Sequence, residues 1–526
     1  MKRLGRHWLE YATLWTLGLC LPVFQDLDNS PDYLVAAHAG FPDLLLVTMA
    51  VVVLPPTAAL AIEAISERID ERAGRVAHLV LLGLFAANLA LQMFKGEFDP
   101  HRRSIVLGAV LIGALFAYLY TRGRFLRMML AVLSPAILVV LIWFLAFSTA
   151  ASRAWGPDDP EVSETRANGT PVVVVIFDEF SGLSLLDERE RISSRYPNFR
   201  RLAREATWYR NATTVADVTN YAVPALLTGN LETRKEDRKL PTAADHPSNL
   251  FSLLRGQYRM NVHEAVTDLC AFCPDESLGS RIDTLADGYW DLIQPRLEPR
   301  KSPKEALLLP PAALENRDET WRDWEADIRG GRTLNVLHIQ LPHVPWVYKP
   351  DGREVADELG VPGNFNDSWV GTPAEVAANY RRYLDQVGYM DTLLGGLRRR
   401  LDPIWDDALV VLVADHGVAF EAKQTRRAVT EANLPEIASV PLFVKTPGQK
   451  RGRTSDEMVR ITDVFPTIGD WLGTGWTGQG ESLRRPVRRT EVSVYSLYDW
   501  TVRAKAREFK FRRAVAIKRL AALAEQ

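Results

Sequence analysis

Four short stretches of the sequence carry residues that could do chemistry together. The apolar run PVVVVIF ends in Asp178 and Glu179, and a second run, DALVVLVADHG, ends in Asp415 and His416. Between them lie Thr219, in VTNYAVPALLTGN, and His343, in HIQLPHVPW. Carboxylates and an imidazole at two strand ends suit a zinc or manganese ion. Each residue alone has a plainer role, because Asp caps helices and ends strands in turns. Asp178 is read as a metal ligand because the residues are taken together. His338, inside an apolar run, is read as a satisfied core histidine.

These residues need a scaffold that gathers strand ends. The continuous apolar run at 172–177 predicts a strand covered on both faces, 334–341 another buried strand, and 407–417 and 440–448 two more strands. Residues 196–214 predict a helix followed by a strand, and 373–401 a long amphipathic helix. Such alternation means an α/β fold with a mostly parallel sheet, whose sites lie beyond the carboxyl ends of the strands. Residues 151–170 are polar and rich in turn formers, and are read as a linker. Residues 275–330 read as an insertion or surface loops.

VTNYAVPALLTGN resembles the nucleophile region of the sulfatase and alkaline phosphatase superfamily. PNFRRLAREATWYRNAT, HIQLPHVPW, VPLFVKTPGQ and TDVFPTIGDWLG resemble its other landmarks, so the likeness covers roughly 170–485. The resemblance implies that Asp178, Thr219, Asp415 and His416 hold one divalent metal, manganese or zinc ahead of magnesium or calcium. Glu179 would replace or assist Asp178, since lipoteichoic acid synthases and phosphoethanolamine transferases have Glu at the first ligand position. It further implies Thr219 as nucleophile, His343 as the acid that protonates the leaving alcohol, and Asn220 with His343 against the substrate. Sulfatases convert a cysteine or serine into formylglycine within an x-P-x-R context. Here the residue is threonine and Asn220, Tyr221, Ala222 and Val223 follow it, so phosphoryl transfer is expected ahead of sulfate-ester hydrolysis. A non-catalytic membrane protein that kept the fold is the remaining alternative.

The first 150 residues differ in kind from the rest. Apolar runs at 8–24, 41–62, 76–94, 104–120 and 125–147 each approach the roughly 20 residues that cross a bilayer. A bundle of about five transmembrane helices is expected. Lys2, Arg3 and Arg6, then Arg68, Arg72 and Arg75, then Arg122 and Arg124 mark alternate loops as cytoplasmic. Lys95, Arg102 and Arg103 run against this. The catalytic part then lies outside the cytoplasm, in a multi-pass protein of a bacterial inner membrane. By resemblance, the donor is a phospholipid and the acceptor a lipid or envelope glycan.

The expected domains are 1–150 in the membrane, a linker at 151–170, a catalytic domain at 171–485, and a basic amphipathic tail at 486–526. The tail is read as a solvated surface helix or a contact for anionic lipid. Cys270 and Cys273, in CAFC, cannot make a four-cysteine zinc site and are expected to form a local disulfide in an oxidising compartment. The formal net charge of −2 argues against a nucleic-acid partner.

Overall fold

The computed structural model describes residues 2–29, 31–94, 102–154, 166–231, 239–273, 282, 286, 289, 316–355, 361–365, 367–476, 478–498 and 500–525. Much of the linker, Lys95, and most of the stretch read as an insertion or loops lie outside the described residues. The chain forms two compact units, Met1–Gly156 with Asp275–Pro311, and Pro157–Pro274 with Ala312–Gln526.

The first unit is helical: α1 (Lys2–Trp15), α2 (Leu21–Asn29), α3 (Asp32–Ala36), α4 (Phe41–Ile69), α5 (Glu71–Phe94), α6 (Arg102–Arg122), α7 (Phe125–Leu133), α8 (Ala136–Ile142) and α9 (Thr149–Ala154). Among the described residues, three helical stretches are long and apolar enough to cross a membrane: Phe41–Ile69, Glu71–Met93 and Phe125–Phe147. The fourth expected span appears as the shorter apolar helix Val106–Arg122. The first, 8–24, is helical but is interrupted by a π-helical turn at Thr16–Cys20. Leu54, Ile62, Val80, Leu84, Leu111, Leu115, Val132 and Leu138 are exposed on the outer faces of this unit. An aqueous protein rarely leaves so much aliphatic surface uncovered, whereas a bilayer favours it.

The second unit is built on a seven-stranded sheet in the order β3-β4-β1-β7-β8-β2-β9. Its strands are β1 (Val172–Asp178), β2 (Thr207–Thr213), β3 (Arg259–His263), β4 (Thr333–Pro342), β7 (Leu409–Ala414), β8 (Leu442–Lys445) and β9 (Arg453–Arg460); β5 (Asn364–Phe365) and β6 (Ser368–Trp369) form a small separate ribbon. The pairs β3–β4, β4–β1, β1–β7 and β2–β9 are parallel, while β8 runs antiparallel to both neighbours. Every residue of β1, β4 and β7 is buried. This is why β1 and β7 are continuously apolar and rich in β-branched residues, while β4 is mostly apolar but also buries Asn335, His338 and Gln340. Helices α10 (Pro197–Glu205), α11 (Thr219–Thr228) and α12 (Leu250–Leu254) connect the strands, and the long helix Pro373–Arg400 starts from a capping box between Thr372 and Glu375.

Residues 486–526 do not hang free of this unit. They form the hairpin β10 (Glu491–Tyr495) and β11 (Thr501–Lys505), then the helix Ala506–Glu525, whose Phe509, Ile517, Leu520 and Leu523 are buried. Two of its basic residues are spent on internal acids: Arg513 donates to Glu190 (2.8 Å) and Arg519 pairs with Glu436. The amphipathic pattern is real, but its apolar stripe closes the core of the unit.

Candidate active site

Asp178 is the last residue of β1, where the pairing with β4 shifts register between Phe177 and Asp178. Glu179 follows with φ of 57°, a left-handed conformation uncommon for a residue with a side chain. The turn is held by Tyr383 of the long helix. Its hydroxyl accepts from the Ser181 N–H (3.0 Å) and donates to the Glu179 carbonyl (3.0 Å). The neighbouring strand β7 delivers Asp415 and His416 directly after Ala414. The glycine of ADHG has a steric cause, because a Cβ on Gly417 would lie 2.0 Å from the Glu436 carbonyl oxygen.

Thr219 is the first residue of α11 and completes the cluster. Its hydroxyl lies 3.4 Å from Asp178 Oδ1 and 3.5 Å from His416 Nε2. His416 Nε2 is 4.0 Å from Asp178 Oδ1 and 3.5 Å from Asp415 Oδ2. Ligand atoms of Asp178, Asp415 and His416 all fall within 4.8 Å of one another, and all four residues are buried. His416 Nδ1 is 2.9 Å from the Gly417 carbonyl, which can only accept, so Nδ1 carries the proton. That leaves the Nε2 lone pair facing Thr219 and Asp178, the tautomer a metal ligand requires.

The electrostatics leave room for a cation. Burial, and then the charge of Asp415, raise Asp178 well above the ordinary carboxylate range. Burial likewise pushes Asp415 up to about 7. Asp415 Oδ1 accepts from the backbone N–H of Glu179 and His416, while Oδ2 has no hydrogen-bond partner among the described residues. Two crowded buried carboxylates, one oxygen unsatisfied, and an imidazole lone pair make a donor set that fits a divalent transition metal.

Glu179 turns elsewhere. Its carboxylate accepts from Arg426 Nη1 (2.6 Å), lies 3.0 Å from Arg427 Nε, and is 3.4 Å from His343 Nε2. Burial would raise it, but Arg426, His343 and Arg427 outweigh burial and hold it well below its ordinary value. Glu179 is thus tied to two arginines, apart from the cluster of Asp178, Asp415 and His416. His343 stands behind β4 with Nδ1 donating to the Val344 carbonyl (2.6 Å), and burial drives it down to about 3 although Glu179 pulls the other way. The ring is neutral in this state, so delivering a proton from Nε2 requires taking one up first. Asn220 is half-buried beside Thr219. His338 is buried in β4, but neither ring nitrogen has a hydrogen-bond partner among the described residues, so it is a core histidine without the satisfaction expected of one. Cys270 and Cys273 are bridged.

Three residues at the site escaped the sequence reading. Arg426 and Arg427 sit in an irregular stretch after β7, where a pair of arginines looks like any solvated charge. Asp217 pins the loop before Thr219: it accepts from the Val429 N–H (2.8 Å), the Ser496 hydroxyl (2.7 Å) and the Leu497 N–H (2.8 Å). The only sequence signal for it was its position two residues before the nucleophile candidate.

The family model named Sulfatase matches residues 171–474. The multifunctional alkaline phosphatase superfamily protein PehA of Trinickia caryophylli is 30% identical over 95 residues, a segment of 17% of this chain and 18% of that protein. The phosphonate monoester hydrolase SpPMH from Silicibacter pomeroyi superposes with a TM-score of 0.43 at 18% identity, covering 62% of this chain and 79% of its own. The C-terminal periplasmic domain of EcEptC from Escherichia coli gives 0.41 at 14% identity, covering 66% and 97%.

Proposed function

This chain belongs to the sulfatase family, within the alkaline phosphatase superfamily of enzymes, and we propose that it is a phosphoryl-group transferase or phosphodiester hydrolase with Thr219 as nucleophile. The observation that carries this reading is the placement of the Thr219 hydroxyl, 3.4 Å from Asp178 and 3.5 Å from His416 Nε2, at the first turn of α11. The residue is threonine, from which formylglycine is not made, so the reading favours phosphoryl over sulfuryl chemistry.

Asp178, Asp415, His416 and the Thr219 oxygen would hold the metal. A divalent cation bound there lowers the pKa of the hydroxyl and offsets charge on the phosphoryl oxygens. The Thr219 hydroxyl donates toward Asp178 Oδ1, and the start of α11 favours the negative charge that develops on its oxygen. Thr219 Oγ1 gives its proton to Asp178 and forms a bond to phosphorus as the phosphorus–oxygen bond to the leaving group breaks; the departing alkoxide takes a proton from water, leaving a phosphothreonine. Water or an acceptor hydroxyl then attacks phosphorus and releases Thr219. Arg427, held 3.0 Å from Glu179, is assigned the anionic oxygens of the substrate. Asn220 and His343 border the substrate side, His343 as an acceptor in its neutral form.

The setting proposed is a bacterial cytoplasmic membrane, crossed several times, with the catalytic unit outside. Three apolar helices of spanning length and the Cys270–Cys273 bridge support it. The donor class is a phospholipid, and the acceptor a lipid or envelope glycan. The test is a paired assay of detergent-purified protein with manganese or zinc, on an aryl phosphodiester and an aryl sulfate. The expected result is phosphodiester turnover that disappears in Thr219→Ala. Turnover of the sulfate alone, persisting in Thr219→Ala, overturns both the group and the nucleophile.

A further inference from the structure

The helical unit holds a second cluster of ligand-type side chains, and it is as buried as the first. His7 and Glu10 come from α1, Glu63 from α4 and His78 from α5, each with a relative exposure of 5% or less. His7 Nδ1 lies 2.6 Å from Glu63 Oε1, and His78 Nδ1 lies 3.2 Å from Glu63 Oε2. The Tyr11 hydroxyl sits between them, 2.7 Å from Glu63 Oε2 and 2.8 Å from His78 Nδ1. Ligand atoms of His7, Glu63 and His78 all lie within 4.8 Å of one another. Tetrahedral zinc with bonds near 2.0–2.1 Å sets its ligand atoms roughly 3.3 Å apart, so small side-chain shifts would bring these atoms to one ion.

The surroundings of His78 favour a metal. Its Nε2 is buried without a hydrogen-bond partner among the described residues, and points at Glu10 Oε2 from 3.6 Å. Glu10 is oriented by the Tyr120 hydroxyl, which reaches both of its oxygens at 2.9 Å. A carboxylate behind one imidazole nitrogen, with the other nitrogen facing a shared centre, is the usual support of a metal-bound histidine. Charge balance argues the same way. Two carboxylates buried among apolar helices need positive charge close by. Arg6 approaches Glu10 only to 3.8 Å, from an exposed position. Protonating both histidines would stack two cations, because the His7 and His78 rings lie face to face with centroids 3.8 Å apart. One dication with two neutral imidazoles avoids that repulsion.

We infer that His7, Glu63 and His78 bind a divalent transition metal, zinc, iron(II) or manganese by ligand type, with Glu10 supporting His78 from behind. The ion would clip α1, α4 and α5 together within the helical unit and takes no part in the chemistry at Thr219. The test uses full-length protein purified in detergent without a histidine tag, and an Asp415→Asn background that weakens the site in the catalytic unit. Cobalt(II) is titrated and its visible absorption followed. The expected result is saturable binding at one site, weakened at least 100-fold by His78→Gln and by Glu63→Gln, with size-exclusion profiles confirming that both variants fold. His7→Gln gives a second, milder probe of the same site. Absence of cobalt binding in the Asp415→Asn protein overturns the inference and leaves a proton-sharing network. Binding unaltered in folded His7→Gln and His78→Gln proteins overturns it equally.

Discussion

Arg426 Nη1 donates to Glu179 Oε2 at 2.6 Å, and neither side chain is exposed to water. The pair lies one residue from Asp178, so it fixes the turn that aims the candidate ligand. Removing Arg426 leaves Glu179 with Arg427 as its remaining cation and takes a partner from Asp367, so the cost falls toward the lower end of the roughly 3–5 kcal/mol of a broken buried pair. Arg426→Ala should lower the melting temperature sharply, and Glu179→Gln in the same chain should recover part of the loss. Equal stability of Arg426→Ala and the parent protein would show the pair to be idle.

The protein stripped of metal should depend on pH with a definite sign. Asp415 is raised to about 7 by burial, above an ordinary carboxylate near 4. The folded state therefore holds this proton more tightly than the unfolded one. Its stabilising share is complete below about pH 4 and is lost as pH rises through about 7. In chelator, the melting temperature should fall between pH 5 and 8, less so in Asp415→Asn, and manganese or zinc should remove most of the fall. An unchanged slope in Asp415→Asn would contradict the assignment.

Asp217 ties two separate segments, at Val429 and at Ser496–Leu497, to the loop that leads into Thr219. Asp217→Ala leaves the Val429 N–H, the Ser496 hydroxyl and the Leu497 N–H without their acceptor. A loss of at least about 2 kcal/mol is expected, together with loss of turnover. Asp217→Asn keeps one carbonyl acceptor and should fall between. Thermal melting beside the phosphodiester assay checks both effects.

Thiol titration tests the compartment. The chain has three cysteines, of which Cys20 is free and Cys270 and Cys273 are bridged. Protein purified without reductant and then denatured should titrate one thiol, and three after reduction. Three thiols before reduction would count against the bridge and against an extracytoplasmic catalytic unit.

The central strands were legible in the sequence because burial on both faces leaves an unbroken apolar run, as in β1 and β7, and a mostly apolar one in β4. Their ends were legible for the same reason, since Asp178 and Asp415 interrupt those runs with charge. The edge strand β9 was not: RTSDEMVR is half exposed and carries charges, so no period marks it. Arg426 and Arg427 were invisible because their partner, Glu179, stands about 250 residues away in the chain. The C-terminal helix was read as a surface feature because an amphipathic pattern does not say what covers its apolar stripe.

The most direct test of the account is mass spectrometry of the peptide bearing Thr219, after brief incubation of the metal-loaded protein with a phosphodiester and an acid quench. The account predicts a mass gain equal to the transferred phosphoryl fragment, located on Thr219 and absent when Asp178→Asn protein is used. Sustained turnover with an unmodified Thr219 peptide, or an adduct located on another residue, would contradict it.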